Sequence, residues 1–167
     1  SVSAGDILSC GVLNRDDTAV CWGSRMNAFS KLFPSSNTDV DPPTDRFLSV
    51  SAGWCSACGI TTNRELKCWG SGHPTGFRGG SFLQVSLNRF ASGGHACAVT
   101  ADNRIKCFVK SGGVHPEWSL TPGGNFSFVS VGAEHSCGIR DNRTVECWGG
   151  KTGSGLLQAS LIYAQRL

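Results

Sequence analysis

Cys55-x-x-Cys58 has the spacing of half a zinc site or of a dithiol redox pair. A structural tetrathiolate needs a second close pair, and the other cysteines offer none: they fall at 10/21, 58/68, 97/107 and 137/147, ten or eleven positions apart. Disulfides are therefore expected in place of a metal, and they imply an oxidising, secreted compartment. Asn125-Phe126-Ser127 and Asn142-Arg143-Thr144 fit the acceptor pattern for N-linked glycans. His95 and His135 each precede the first cysteine of a pair by two positions, where Leu8 and Ser56 stand in the other two, so a structural hydrogen-bonding role is favoured over catalysis. His73-Pro74 and His115-Pro116 read as solvated loop residues. There is no G-x-S-x-G nucleophile elbow. Gly150-Lys151-Thr152 is similar to the end of a phosphate-binding loop, but Val145 stands where that loop requires glycine. The expectation is a non-catalytic protein with no metal and no cofactor.

The elements that must carry these cysteines repeat. Around them the same text returns: VSAGDILSCGVLNRDDTAVCWGS, VSAGWCSACGITTNRELKCWGSG, FASGGHACAVTADNRIKCFVKSG and VSVGAEHSCGIRDNRTVECWGGK. A recurrence of about 40 residues is the period of solenoids and propellers. Within each unit two short apolar runs flank a tip at Asn14-Arg15, Asn63-Arg64, Asn103-Arg104 or Asn142-Arg143, and Asn and Asp tolerate the left-handed backbone of tight hairpins. Folding the units about these tips sets Cys10 against Cys21, Cys58 against Cys68, Cys97 against Cys107 and Cys137 against Cys147. Cysteines directly opposed across an antiparallel pair stand about 4.5–5.5 Å apart at Cα, within disulfide range. On the other face Trp22, Trp69, Phe108 and Trp148 fall opposite Ser9, Ala57, Ala96 and Ser136. A large ring over a small partner suits stacking on a neighbouring sheet, with both faces of the central strand buried.

A further strand signal precedes three hairpins: 47–51, 82–86 and 126–130. Residues 156–161 are similar to 82–87, so the tail reads as the opening strand of a further unit that pairs either with the first unit of its own chain or with a neighbour's. The units run approximately over 1–46, 47–80, 81–124 and 125–155, with 156–167 starting or completing another, and the whole is read as a single repeat domain of 167 residues. The Gly-, Pro- and Ser-rich stretches between hairpins, the longest at 25–46, are expected on the surface, with an outer strand in each.

Composition agrees with an all-β protein: 22 glycines, and only 16% charged residues. A formal charge of +3, with no run of like charges, argues against nucleic acid as a partner. No apolar run is long enough to cross a membrane, and no address signal opens the chain, so membrane insertion by this segment is not expected.

The pattern V-S-x-G, then C-G-I, a turn and C-W-G resembles the repeat of the regulator of chromosome condensation superfamily of β-propellers. The cysteine pair makes it most similar to the Crinkly-type repeats of plant receptor kinase ectodomains. Residues 2–24, 50–72 and 129–151 carry the pattern, while 90–112 departs from it with Phe108-Val109 in place of Trp-Gly. The resemblance implies a propeller, or a partial one of four to five repeats, serving as an extracellular recognition module that binds a protein or peptide. Two alternatives stand beside it. One is a structural subunit that adds copies of itself head to tail through strand edges; the other is a lectin-like carbohydrate binder in which Trp54 and Trp118 would be the first suspects.

The ninth cysteine, Cys55, has no counterpart in the other units, where Ile7, Gly94 and Glu134 stand. On a regular strand it would point away from the Cys58–Cys68 bridge. It is read either as bonded to another chain or absent segment, or as a buried small hydrophobe.

Overall fold

The computed structural model describes residues 1–23, 41–70, 73–74, 79–88, 95–109 and 121–149, together with the backbone of 151–152 and 155–156. These residues form four three-stranded antiparallel sheets in chain order: β1 (Val2–Ala4), β2 (Ser9–Val12) and β3 (Ala19–Trp22); β4 (Phe47–Ala52), β5 (Ser56–Thr61) and β6 (Leu66–Gly70); β7 (Phe82–Leu87), β8 (His95–Thr100) and β9 (Ile105–Val109); β10 (Phe126–Val131), β11 (His135–Arg140) and β12 (Val145–Gly149). The protein is all-β, and each sheet is a blade.

The registers set Cys10 opposite Cys21, Cys58 opposite Cys68, Cys97 opposite Cys107 and Cys137 opposite Cys147. Each pair is bridged, at Cα separations of 4.0–4.1 Å. Every residue of the central strands β5 and β8 is buried. The opening strands β1, β4, β7 and β10 touch one another in series, so they form the inner side of the assembly.

The blades stack with one polarity. The bridge of blade two, with Ile60 and Leu66, packs on Phe82, Val85 and Ala98 of blade three. The bridge of blade three, with Val99 and Ile105, packs on Phe126, Val129 and Trp148 of blade four. Cys10 of blade one likewise meets Phe47, Val50 and Trp69 of blade two. Disulfide faces therefore point to the following blade, and aromatic faces to the preceding one.

In blades two and four the glycine after the first cysteine now has a cause. A Cβ on Gly59 would lie 2.5 Å from the ring of Phe47, and one on Gly138 would lie 2.7 Å from that of Phe126. Each phenylalanine is held there by the tryptophan of its own blade, with Phe47 5.5 Å from Trp69 and Phe126 6.0 Å from Trp148. In blade three the smaller Phe108 replaces tryptophan and Ala98 fits with 0% exposure. Two departures from the repeat text thus compensate each other.

Three details differ from the sequence reading. Each opening strand from β4 onward carries a bulge, between Phe47/Ser49, Phe82/Gln84 and Phe126/Phe128. The left-handed residue of the tips is Asp17, Arg64, Asn103 or Arg143, so in two blades it is arginine and not asparagine. Cys55 lies in the bend before β5 and not on a strand, so its parity with Cys58 does not set its direction. It is buried at 6% exposure.

In the tail, β13 (Lys151–Thr152) pairs with β14 (Gly155–Leu156). Leu156, the first residue of the strand expected at 156–161, thus pairs within its own short hairpin and not with the first unit, and 157–161 lie outside the described residues, as do 24–40 of the longest connection and the stretches 71–72, 75–78, 89–94 and 110–120. No helix among the described residues is long and apolar enough to cross a membrane.

Candidate binding surface

The hairpin tips are built by a shared local rule. In blades two to four a three-residue loop follows a turn in which Arg64, Asn103 and Arg143 donate their N–H groups to the carbonyls of Thr61, Thr100 and Arg140 at 2.8–2.9 Å. The third loop residue then adopts a positive φ of 59–66°, the arrangement of a turn closed by a left-handed bulge. Blade one spends one more residue and reaches the same state at Asp17, φ 58°. Such a backbone costs a non-glycine residue about 1–2 kcal/mol. The return is an aimed carbonyl: the oxygens of Asp17, Arg64 and Asn103 accept the N–H groups of Phe47, Phe82 and Phe126 at 2.7–2.9 Å, latching each tip to the next blade.

The opposite faces of the opening strands are latched too. Ser3, Ser51 and Ser86 accept through Oγ the N–H groups of Ala52, Leu87 and Val131, each at 3.0 Å. Gln84 makes a two-point contact, donating to the carbonyl of Val129 and accepting its N–H, both at 2.9 Å. The serine of the V-S-x-G wording is thus an inter-blade acceptor in blades one and two, and Ser86 plays the same part in blade three. Its recurrence at one phase was visible in the sequence, whereas its partner was not.

The ionisable groups divide between seam and surface. His95 is 1% exposed, with its ring between Asn88 Nδ2 and Ser136 Oγ, 3.3 Å from each. Burial, and then the charge of His135, push its pKa down to about 4. Asn88 also donates to the carbonyl of Ala133 at 2.9 Å, so this polar cluster ties blade three to blade four. His135 is exposed, and the Nδ1 of His73 lies 2.8 Å from the carbonyl of Gly70. His115 lies outside the described residues. Arg140 pairs with Glu146, Nε to Oε2 2.6 Å, and sits 4.6 Å over the ring of Phe126.

Cys58 is bridged to Cys68, and no group of three metal-ligating side chains occurs among the described residues. The histidine-hydroxyl pair that could suggest nucleophilic chemistry, His95 with Ser136, is buried in a seam, where Ser136 Oγ also lies 3.4 Å from Cys97 Sγ.

The hairpin end of the blades presents a polar surface. Arg15, Asn63, Arg64, Glu65, Asp102, Arg104, Asn142 and Arg143 are exposed or nearly so. The Thr100 hydroxyl holds the carboxyl of Asp102 below its usual pKa, and hydrogen bonds from Thr18 do the same for Asp16. The bulges turn Leu48 and Leu83 outward to 44% and 41% exposure on the inner strands. Asn125 is exposed immediately before β10. Trp54 is half-buried, and Trp118 lies outside the described residues.

Four three-stranded blades, each with a bridged central hairpin and latched in one direction, define an all-β repeat protein of the propeller kind. Residues 47–73 match the family model described as the Regulator of chromosome condensation (RCC1) repeat. The fold is similar to the Crinkly WD40 ectodomain of a receptor kinase from Arabidopsis thaliana, at 22% identity and a TM-score of 0.67 over 96% of this chain and 52% of that one. It is also similar to the ectodomain of a receptor kinase from Physcomitrella patens, at 24% identity and a TM-score of 0.64 over 93% and 39%. Prp20p from Saccharomyces cerevisiae, described with its binding properties to Gsp1p and histones, aligns at 12% identity and a TM-score of 0.62 over 89% and 44%. The chain spans about half or less of the length of these structures. It resembles regulator-of-chromosome-condensation repeats of the disulfide-bearing, Crinkly-like form.

Proposed function

We propose that the chain is an extracellular, non-catalytic binding module whose interface is formed at the hairpin end together with the connections between blades. The observation that carries this reading is the division of chemistry between seam and surface. The bridges of blades one to three and the His95–Ser136 pair lie at the blade seams, while the hairpin end offers exposed charged and amide side chains with Leu48 and Leu83 nearby. Such a mixed polar and apolar surface on a rigid frame suits recognition of a protein or peptide. Four bridged hairpins support an oxidising compartment. The likeness to two receptor ectodomains supports the same placement.

A self-stacking structural subunit is the second reading. It is favoured by Trp22, which is 51% exposed in blade one where Trp69 and Trp148 are each 5% exposed. Sedimentation of the secreted chain over a range of concentrations separates the two. A monomer, together with amine crosslinks from Lys106 to a different protein in the extracellular fraction, supports recognition. A concentration-dependent polymer supports stacking. Covalent labelling by a fluorophosphonate probe would refute the non-catalytic assignment.

A further inference from the structure

The two Asn-x-Ser/Thr triplets lie at the same end of blade four, and their surroundings differ. Asn142 is exposed on the loop between β11 and β12, as is the middle residue of its triplet, Arg143. Its Oδ1 accepts both the backbone N–H of Thr144, at 3.1 Å, and the Thr144 hydroxyl, at 2.7 Å. The side-chain nitrogen Nδ2 donates to no group among the described residues. In the other triplet the middle residue, Phe126, is 0% exposed and packs against Trp148, while the Ser127 hydroxyl donates to the carbonyl of Ile139 at 3.3 Å. An enzyme gripping residues 125–127 would have to draw Phe126 out of the seam between blades three and four.

We propose that Asn142 carries an N-linked oligosaccharide in the folded protein and that Asn125 does not. The donor is a polyprenyl-diphosphate-linked oligosaccharide. Asn142 Nδ2 forms a bond to the anomeric carbon, the bond from that carbon to the diphosphate oxygen breaks, the diphosphate leaves with the electron pair, and one amide proton is released. Repeat symmetry shows that the position has room. Asn63 and Asp102 occupy it in blades two and three and are exposed there, although the adjacent carbonyls of Arg64 and Asn103 are engaged by Phe82 and Phe126 of the next blade. A glycan at this place clears a blade-to-blade seam.

In the cell this modification rests on the extracellular reading, so the test supplies translocation itself. The chain is translated with a cleavable leader into microsomes, and glycans are read as endoglycosidase-sensitive mass shifts. One shift is expected under oxidising conditions, retained in Asn125→Gln and Thr144→Ser and lost in Asn142→Asp. Aspartate keeps the turn, since Asp16 Oδ1 accepts the Thr18 N–H and hydroxyl at 3.2 and 2.7 Å in blade one, but it has no amide to modify. With reductant present throughout translation, a second shift should appear and depend on Asn125. No shift, two shifts under oxidising conditions, or one shift that survives in Asn142→Asp would overturn the proposal. None of these bears on the extracellular reading, which would fail instead if the native protein were found reduced in the cytosol.

Discussion

His95 is the residue where burial and ionisation conflict most directly. It is 1% exposed between Asn88 and Ser136, and its folded pKa of about 4 lies below the ordinary 6.5. The unfolded chain therefore takes the proton first. The stability associated with the neutral ring is fully present above about pH 6.5, falls as pH drops from 6.5 toward 4, and is lost below that, for a total of about 3 kcal/mol. Denaturant unfolding at pH 7 and pH 5 should show about 2 kcal/mol of this loss in the parent chain and a shallower pH slope in His95→Gln. Equal slopes would mean that the imidazole is solvated. Proximity of the histidine to a cysteine was legible in the sequence, and a structural role followed from it. Its depth was not, because burial here depends on Asn88 and Ser136, seven and 41 positions away.

At the scale of elements, the serine latch supplies its own control. Ser86 accepts the Val131 N–H across a seam, whereas Ser130 holds the same phase in β10 and is exposed. Ser86→Ala strands a partly buried donor and should cost about 1–2 kcal/mol, while Ser130→Ala should change stability by less than about 0.5 kcal/mol. Equal effects in thermal unfolding would show that serine acts through strand propensity and not through the latch. The hairpins themselves were legible because pairing within a unit is local: the cysteine spacing, the tip residues and the ring-over-small-residue pattern all lie within one stretch of text. The opening strands were legible for the same reason. The bulges and the left-handed arginines were not. For Arg64 the justification lies in the following blade, where the Phe82 N–H takes the tip carbonyl that a positive φ aims at it. Local propensity disfavors arginine there, and a contact outside the repeat outweighs it.

For the molecule as a whole, one-way stacking makes the four disulfides chemically unequal although their sequences are alike. The bridges of blades one to three face a following blade, and Cys10, Cys58 and Cys97 are each 0% exposed. In blade four Cys137 and Cys147 are both only half-buried, on a face that also carries the exposed Ser130 and Phe128, the latter 46% exposed. Cys21, Cys68 and Cys107 are half-buried too, but exchange with a reductant requires an approach to sulfur, so a bridge with one cysteine fully buried in a seam reacts more slowly than one half-buried at both ends. Under mild native reduction, timed alkylation and peptide mapping should find Cys137–Cys147 broken first, with Cys58–Cys68 and Cys97–Cys107 surviving until the blades separate. Simultaneous loss of all four would show that the seams open together as one cooperative unit. Protection of Cys137–Cys147 equal to that of the others at high protein concentration, but not at low, would mean that a second copy covers this face, and would move the balance from recognition toward self-stacking.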